Sequence, residues 1–99
     1  MIDLNEMAEQ MYDVAQQREK NHPLTNSITG IELLKHLSTE VVEASMVYSV
    51  ATDAFRKELG DVLCIAMLLA HKEGFDIEEI LKETYEKNKA RAEKHGDKL

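Results

Sequence analysis

The chain has one cysteine, one proline and no tryptophan among its 99 residues. A lone Cys64 excludes an internal disulfide and fits a reducing compartment. With proline only at Pro23 and glycine only at Gly30, Gly60, Gly74 and Gly96, little interrupts helix formation. Aromatic residues make up 5% of the chain, so any core is built from aliphatic side chains and methionine. Strand signals are also lacking, because no period-two alternation is sustained between turn clusters. The longest apolar run, Val62 to Ala70, is far too short to cross a bilayer. Basic residues are in deficit, 12 against 19 acidic ones, and the net charge of −7 argues against nucleic-acid or anionic-membrane partners. The opening Met1-Ile2-Asp3-Leu4-Asn5-Glu6 has no basic segment leading into an apolar one. No secretory leader is expected there, and a cytoplasmic setting follows as the expectation.

What is present is helical periodicity in one domain spanning residues 1–99. Three helix starts carry the same signature. Asp3 with Glu6, Thr29 with Glu32, and Asp76 with Glu79 fit capping boxes, flanked by the staple pairs Ile2/Met7, Ile28/Leu33 and Phe75/Ile80. The pattern predicts helices from about Leu4 to Lys20, Gly30 to Val50, Asp53 to Gly74, and Ile77 into the basic stretch around Asn88 to Lys94. Residues 21–27, around Pro23, read as a loop. The predicted fold class is therefore all-α, with four helices in a bundle-like arrangement. A core of this size is marginal alone, which favours self-association.

Two acidic pairs at i, i+3 spacing stand out: Glu40-Val-Val-Glu43 and Glu58-Leu-Gly-Asp61. Residues three apart share a helix face. At about 100° per residue, Glu40 falls among Leu33, Ala44 and Val47, with Glu43 at the edge of that apolar arc. Glu58 falls between Ile65 and Leu69, and Asp61 shares its flank with Leu68. Glu83 and Glu86 have the same spacing but lie opposite the apolar stripe of their helix, on a solvated face. Carboxylates on apolar faces are costly unless paired or metal-bound. Oxygen-only ligands suit Mg²⁺ or Mn²⁺. The alternative is a set of buried ion pairs, with Lys35, His36, Arg56 or Lys57 as partners.

These segments, together with Lys57-Glu58-Leu59-Gly60-Asp61-Val62-Leu63, Gly74-Phe75-Asp76-Ile77-Glu78-Glu79 and Asn88-Lys-Ala-Arg91, resemble the MazG-like nucleotide pyrophosphohydrolases, an all-α family. The likeness covers about residues 30 to 96. It implies cleavage of a nucleoside triphosphate into the monophosphate and pyrophosphate. It implies Mg²⁺ (or Mn²⁺) held by Glu40, Glu43, Glu58 and Asp61, and a homodimer or homotetramer in which helices of different copies build the bundle. Glu43, at the rim of its arc, is the candidate general base. Lys57, Asn88 and Arg91 are the candidate phosphate contacts, Arg91 through its planar fork. Helix one lacks the aromatic-rich base-recognition features of some relatives. Phosphoribosyl-ATP pyrophosphohydrolase is the competing enzyme on the same scaffold, and a metal-stabilised helical interaction module without turnover is the non-enzymatic rival. A di-iron bundle is disfavoured because no pair of Glu-x-x-His motifs occurs.

The remaining polar residues read as structural. His36, one turn before Glu40, is expected to bond a neighbouring acid. His22, His71 and His95 read as loop or surface residues. Cys64 reads as a small buried hydrophobe, and Tyr48 and Phe55 as packing aromatics.

Overall fold

The structure, a computed structural model, describes residues 2–20 and 29–95. Four helices account for most of them: α1 (Leu4–Lys20), α2 (Gly30–Val47), α3 (Thr52–Lys72) and α4 (Ile77–His95). No strand occurs among the described residues. The Pro23 loop, Ile28 and His22 lie outside them.

All three predicted N-caps form. Asp3 Oδ1 accepts from the Asn5 and Glu6 amides at 3.0 and 3.1 Å, Thr29 Oγ1 from Glu32 at 3.1 Å, and Asp76 Oδ1 from Glu79 at 3.1 Å. Each satisfies amide groups that the first helical turn leaves without a carbonyl partner. The outer staple residues Ile2 and Phe75 stay 65% and 58% exposed. Gly74, at φ 75°, closes α3. The Phe75 amide donates to the Ala70 carbonyl at 2.9 Å and the Gly74 amide to His71 at 3.0 Å. That pair of bonds is a Schellman closure, which needs the left-handed residue glycine supplies.

α2 stops at Val47, short of the predicted Val50. The Val50 and Ala51 amides both donate to the Val47 carbonyl, at 3.3 and 3.2 Å, so residues 48–50 form the turn into α3. Tyr48 and Phe55 bracket that turn edge to face, with ring centroids 5.1 Å apart. At the other end of this hairpin, Gly30 faces Leu69 and Glu73. α2 and α3 are therefore antiparallel neighbours.

α1 also runs antiparallel to α3. Near its start Asn5 Oδ1 accepts from the Ile77 amide at 2.8 Å, and Asn5 Nδ2 donates to Asp76 at 3.1 Å. Further along, the Tyr12 ring packs on His71, at a centroid distance of 5.1 Å. His71 is thus half-buried rather than the surface residue its sequence position suggested, because α1 crosses it. Leu33, Ile65 and Leu68 form the core, joined by Met11, Tyr12, Ala15, Leu37, Cys64 and Leu69.

α4 touches α1 and α3 but not α2. Ile77 is buried at its first turn, whereas Leu81 and Tyr85 are 54% and 62% exposed. The radius of gyration, 16.0 Å, exceeds the roughly 13 Å of a compact chain this long. Val41, Val42, Leu59 and Leu63 also stay on the surface. The apolar stripes of α2, α3 and α4 are thus only partly used within one chain.

Candidate metal centre and adjoining cleft

The antiparallel hairpin brings the two acidic pairs together. Glu40 and Glu43 stand in the second half of α2, opposite Glu58 and Asp61 in the first half of α3. One carboxylate oxygen from each of Glu40, Glu43 and Glu58 falls within a set whose members all lie within 4.8 Å of one another. Asp61 stands outside that set but adds its charge to Glu58 and lines a cleft beside Glu40. The Glu40 side chain is 13% exposed. Glu58 is half-buried, and Glu43 and Asp61 are exposed at the rim.

The oxygens are poorly provided with partners. His36 Nε2 meets Glu40 Oε1 at 3.0 Å, the bond expected of that histidine. Two further oxygens, Glu40 Oε2 and Glu58 Oε2, are buried with no hydrogen-bond partner among the described residues. A buried acceptor without a partner is costly, and a carboxylate more so than a neutral group. Glu58 carries the consequence. Desolvation raises its pKa above the ordinary glutamate value, and the charges of Glu43, Glu40 and Asp61 push it further. Glu40 also offers a hydrogen bond to the protonated form.

Ion pairing, the alternative open to these acids, is met among the described residues only at Glu40, by the exposed His36. Among the described residues the ion pairs are His36–Glu40 and Lys57–Asp53. Among the described residues Glu58 has no ion-pair partner. A hard divalent ion fits what is there. The donors are all carboxylate oxygens, one each from Glu40, Glu43 and Glu58 within 4.8 Å of one another, and such an ion takes oxygen ligands of this kind.

The other sequence-selected residues are not brought to this point within one chain. Lys57 lies along the surface of α3, its Nζ 3.5 Å from Asp53, with both side chains over three-quarters exposed. Asn88 is half-buried and Arg91 exposed on α4, the helix that does not touch α2.

Beside the acids lies a cleft of about 850 Å³ between α1, α2 and α3, large enough for a small organic molecule. Its wall includes Met7, Met11, Val14 and Arg18 from α1, and Leu33, Ile65 and Leu68 from the core. Glu40, Asp61, His36 and Cys64 line it as well. Cys64 is half-buried here rather than sealed in the core. Its thiol pKa is raised by burial and by Asp61, with Arg18 acting against both. Met7, Met11 and Val14 carry the apolar stripe of α1, and their apolar spacing alone gives Arg18 no part. Residues 7, 11, 14 and 18 fall on one helical line, so a cation ending an apolar stripe was the available signal.

A family model for the MazG-like family matches residues 24–99. No curated protein and no solved structure matches the chain. The family match spans the acidic hairpin and α4, and the chain belongs to the MazG-like family.

Proposed function

We propose that this MazG-like protein hydrolyses a nucleoside triphosphate between its α and β phosphorus atoms, yielding the monophosphate and pyrophosphate. One observation carries the reading. Two carboxylate oxygens, on the clustered Glu40 and Glu58, are buried without partners, and Glu40 also lines a cleft sized for a small molecule. That arrangement supports a bound cation rather than a structural ion pair.

Glu40, Glu43, Glu58 and Asp61 would hold Mg²⁺ or Mn²⁺. When bound, such an ion neutralises phosphate oxygens and lowers the pKa of a coordinated water. Glu43, exposed at the rim, takes the attacking water's proton on a carboxylate oxygen. His36 holds the Glu40 carboxylate in place through the 3.0 Å contact. The apolar part of the cleft receives the nucleoside and excludes water from it. Lys57 is free to serve as a point charge for phosphate, because its exposed pair with Asp53 contributes little.

Asn88 and Arg91 reach a site from a second copy in a homodimer or homotetramer. The support is that α4 misses α2 in its own chain while the apolar stripes of both helices lie open.

The test is a panel of canonical, deoxy and modified triphosphates with Mg²⁺, scored for monophosphate, pyrophosphate and orthophosphate. Pyrophosphate with monophosphate is the expected outcome. Orthophosphate as the sole phosphate product refutes the assigned bond. No product from any triphosphate leaves a non-catalytic helical module as the better reading.

A further inference from the structure

The cleft contains a cationic side chain that neither the acidic quartet nor the basic end of α4 accounts for. Arg18 stands near the end of α1, and among the described residues it is the one lysine or arginine that lines the cleft. Its position follows from the antiparallel packing of α1 on α3. Asn5 is bonded at the start of α4 and Tyr12 lies on His71, so Arg18 comes level with the earlier part of α3. There it shares the cleft wall with His36, Glu40, Asp61 and Cys64. Its charge and that of Asp61 both reach the Cys64 thiol. Arg18 therefore belongs to the acidic end of the cleft, while Met7 and Gln10 line it nearer the start of α1.

This location suits one chemistry. A divalent ion offsets only part of the charge of four carboxylates, so a polyphosphate arriving beside them meets repulsion. A guanidinium on the facing wall relieves it, and its planar fork grips two oxygens of one phosphate. The other cations considered for this part stand elsewhere in the chain: Lys57 lies on the exposed surface of α3 and does not line the cleft, and Arg91 is on the helix that does not touch α2.

We infer that Arg18 binds the phosphate tail of the substrate from within the same chain, with the nucleoside lying in the apolar part of the cleft. The inference rests on the nucleotide reading above and assigns a contact that the acidic hairpin and α4 do not provide.

The test uses the full chain with Mg²⁺ and compares wild type, Arg18→Ala and Arg18→Lys. The measurements are KM and kcat for the best triphosphate, and calorimetric binding of its α,β-methylene analogue, of the bare nucleoside and of Mn²⁺. A charge-assisted contact to phosphate predicts that Arg18→Ala raises KM and weakens the analogue by about 10- to 100-fold. Nucleoside affinity and Mn²⁺ affinity stay at wild-type levels, and Arg18→Lys recovers part of the loss. Analogue affinity within about twofold of wild type in Arg18→Ala overturns the inference. So does an equal loss of nucleoside affinity, which would make Arg18 a wall of the nucleoside pocket. A wild type that binds the analogue but releases no pyrophosphate refutes the hydrolase reading alone, and the binding arm still decides on Arg18. A wild type that binds neither analogue nor nucleoside overturns both.

Discussion

Replacing Glu58 by glutamine keeps the side chain's size and removes one of the four facing charges. The consequences differ with and without a divalent ion. In a chelating buffer the wild-type hairpin holds its acids against mutual repulsion, and the Glu58 pKa is raised by desolvation first and by its acidic neighbours next. A carboxyl raised on folding contributes its stability below its ordinary value, here 4.5. That contribution is lost as pH rises through the raised folded-state value. Glutamine does not titrate. In the absence of metal, Glu58→Gln should therefore gain on wild type as pH rises above about 5.

A divalent ion reverses the ranking. An ion that binds only the folded chain, present at ten times its dissociation constant, stabilises it by about 1.4 kcal/mol. For a domain near this size each kcal/mol moves the melting temperature by about 4–8 °C, so the wild type should gain roughly 6–11 °C. The variant lacks one of the three ligands in the clustered set. Its shift should shrink to about 1–2 °C or less at the same ion concentration. The assay is melting by circular dichroism at 222 nm (the usual helix band), from about pH 5 to 8, in chelator, Mg²⁺ and Mn²⁺. Equal metal-induced shifts in both proteins would refute the site. A metal-free wild type more stable than the variant at the alkaline end would refute the repulsion argument.

Glu40→Ala and Asp61→Ala should each lower turnover by on the order of 100-fold or more, the scale of losing one charge contact to the transition state, while the ellipticity at 222 nm stays near wild type. Full activity in Asp61→Ala would remove that residue from the site. Leu68, 5% exposed in the core with Leu33 and Ile65, should cost about 2–5 kcal/mol when cut to alanine, measured by urea unfolding. Leu63→Glu, at a position 57% exposed in one chain, should leave helix content unchanged but shift the particle mass by light scattering towards that of a single chain. A wild type that is already monomeric at micromolar concentration refutes the assembly.

The helix starts were legible because capping is local chemistry. Asp3, Thr29 and Asp76 each bond an amide two or three residues away, and no other part of the chain has to be known. The meeting of Glu40 with Glu58 was legible for a related reason. A short turn forces α2 and α3 to lie side by side, and the apolar neighbours of each acid point both pairs into the same seam. The end of α2 at Val47 was less accessible, since Tyr48 keeps helical angles and only the hydrogen bonds of the turn separate it from the helix. The cleft wall was hidden because it is non-local. Whether Met7, Met11 and Val14 are core or lining depends on how far α1 stands from α2 across α3, and spacing along one helix says nothing of that distance. His71 was misplaced on the same ground, because only α1 covers it.

The acidic hairpin is the place where local rules and folding stability disagree, and that disagreement gives the strongest reason to read it as a site. The caps of α1, α2 and α4 bond their own amides, and Leu33, Ile65 and Leu68 pack together without a polar atom among them. Against that background, Glu40 and Glu58 leave two buried oxygens without partners, and Glu58 faces three further acids. Burying an apolar isostere at either position would stabilise the metal-free chain, so stability does not explain their presence. A cation does, because it turns the repulsion into ligation and supplies the missing partners at once. The same logic extends to the facing wall. Arg18 contributes nothing to the core, yet it ends the α1 stripe at the acidic end of the cleft, where its charge complements what the hairpin leaves negative.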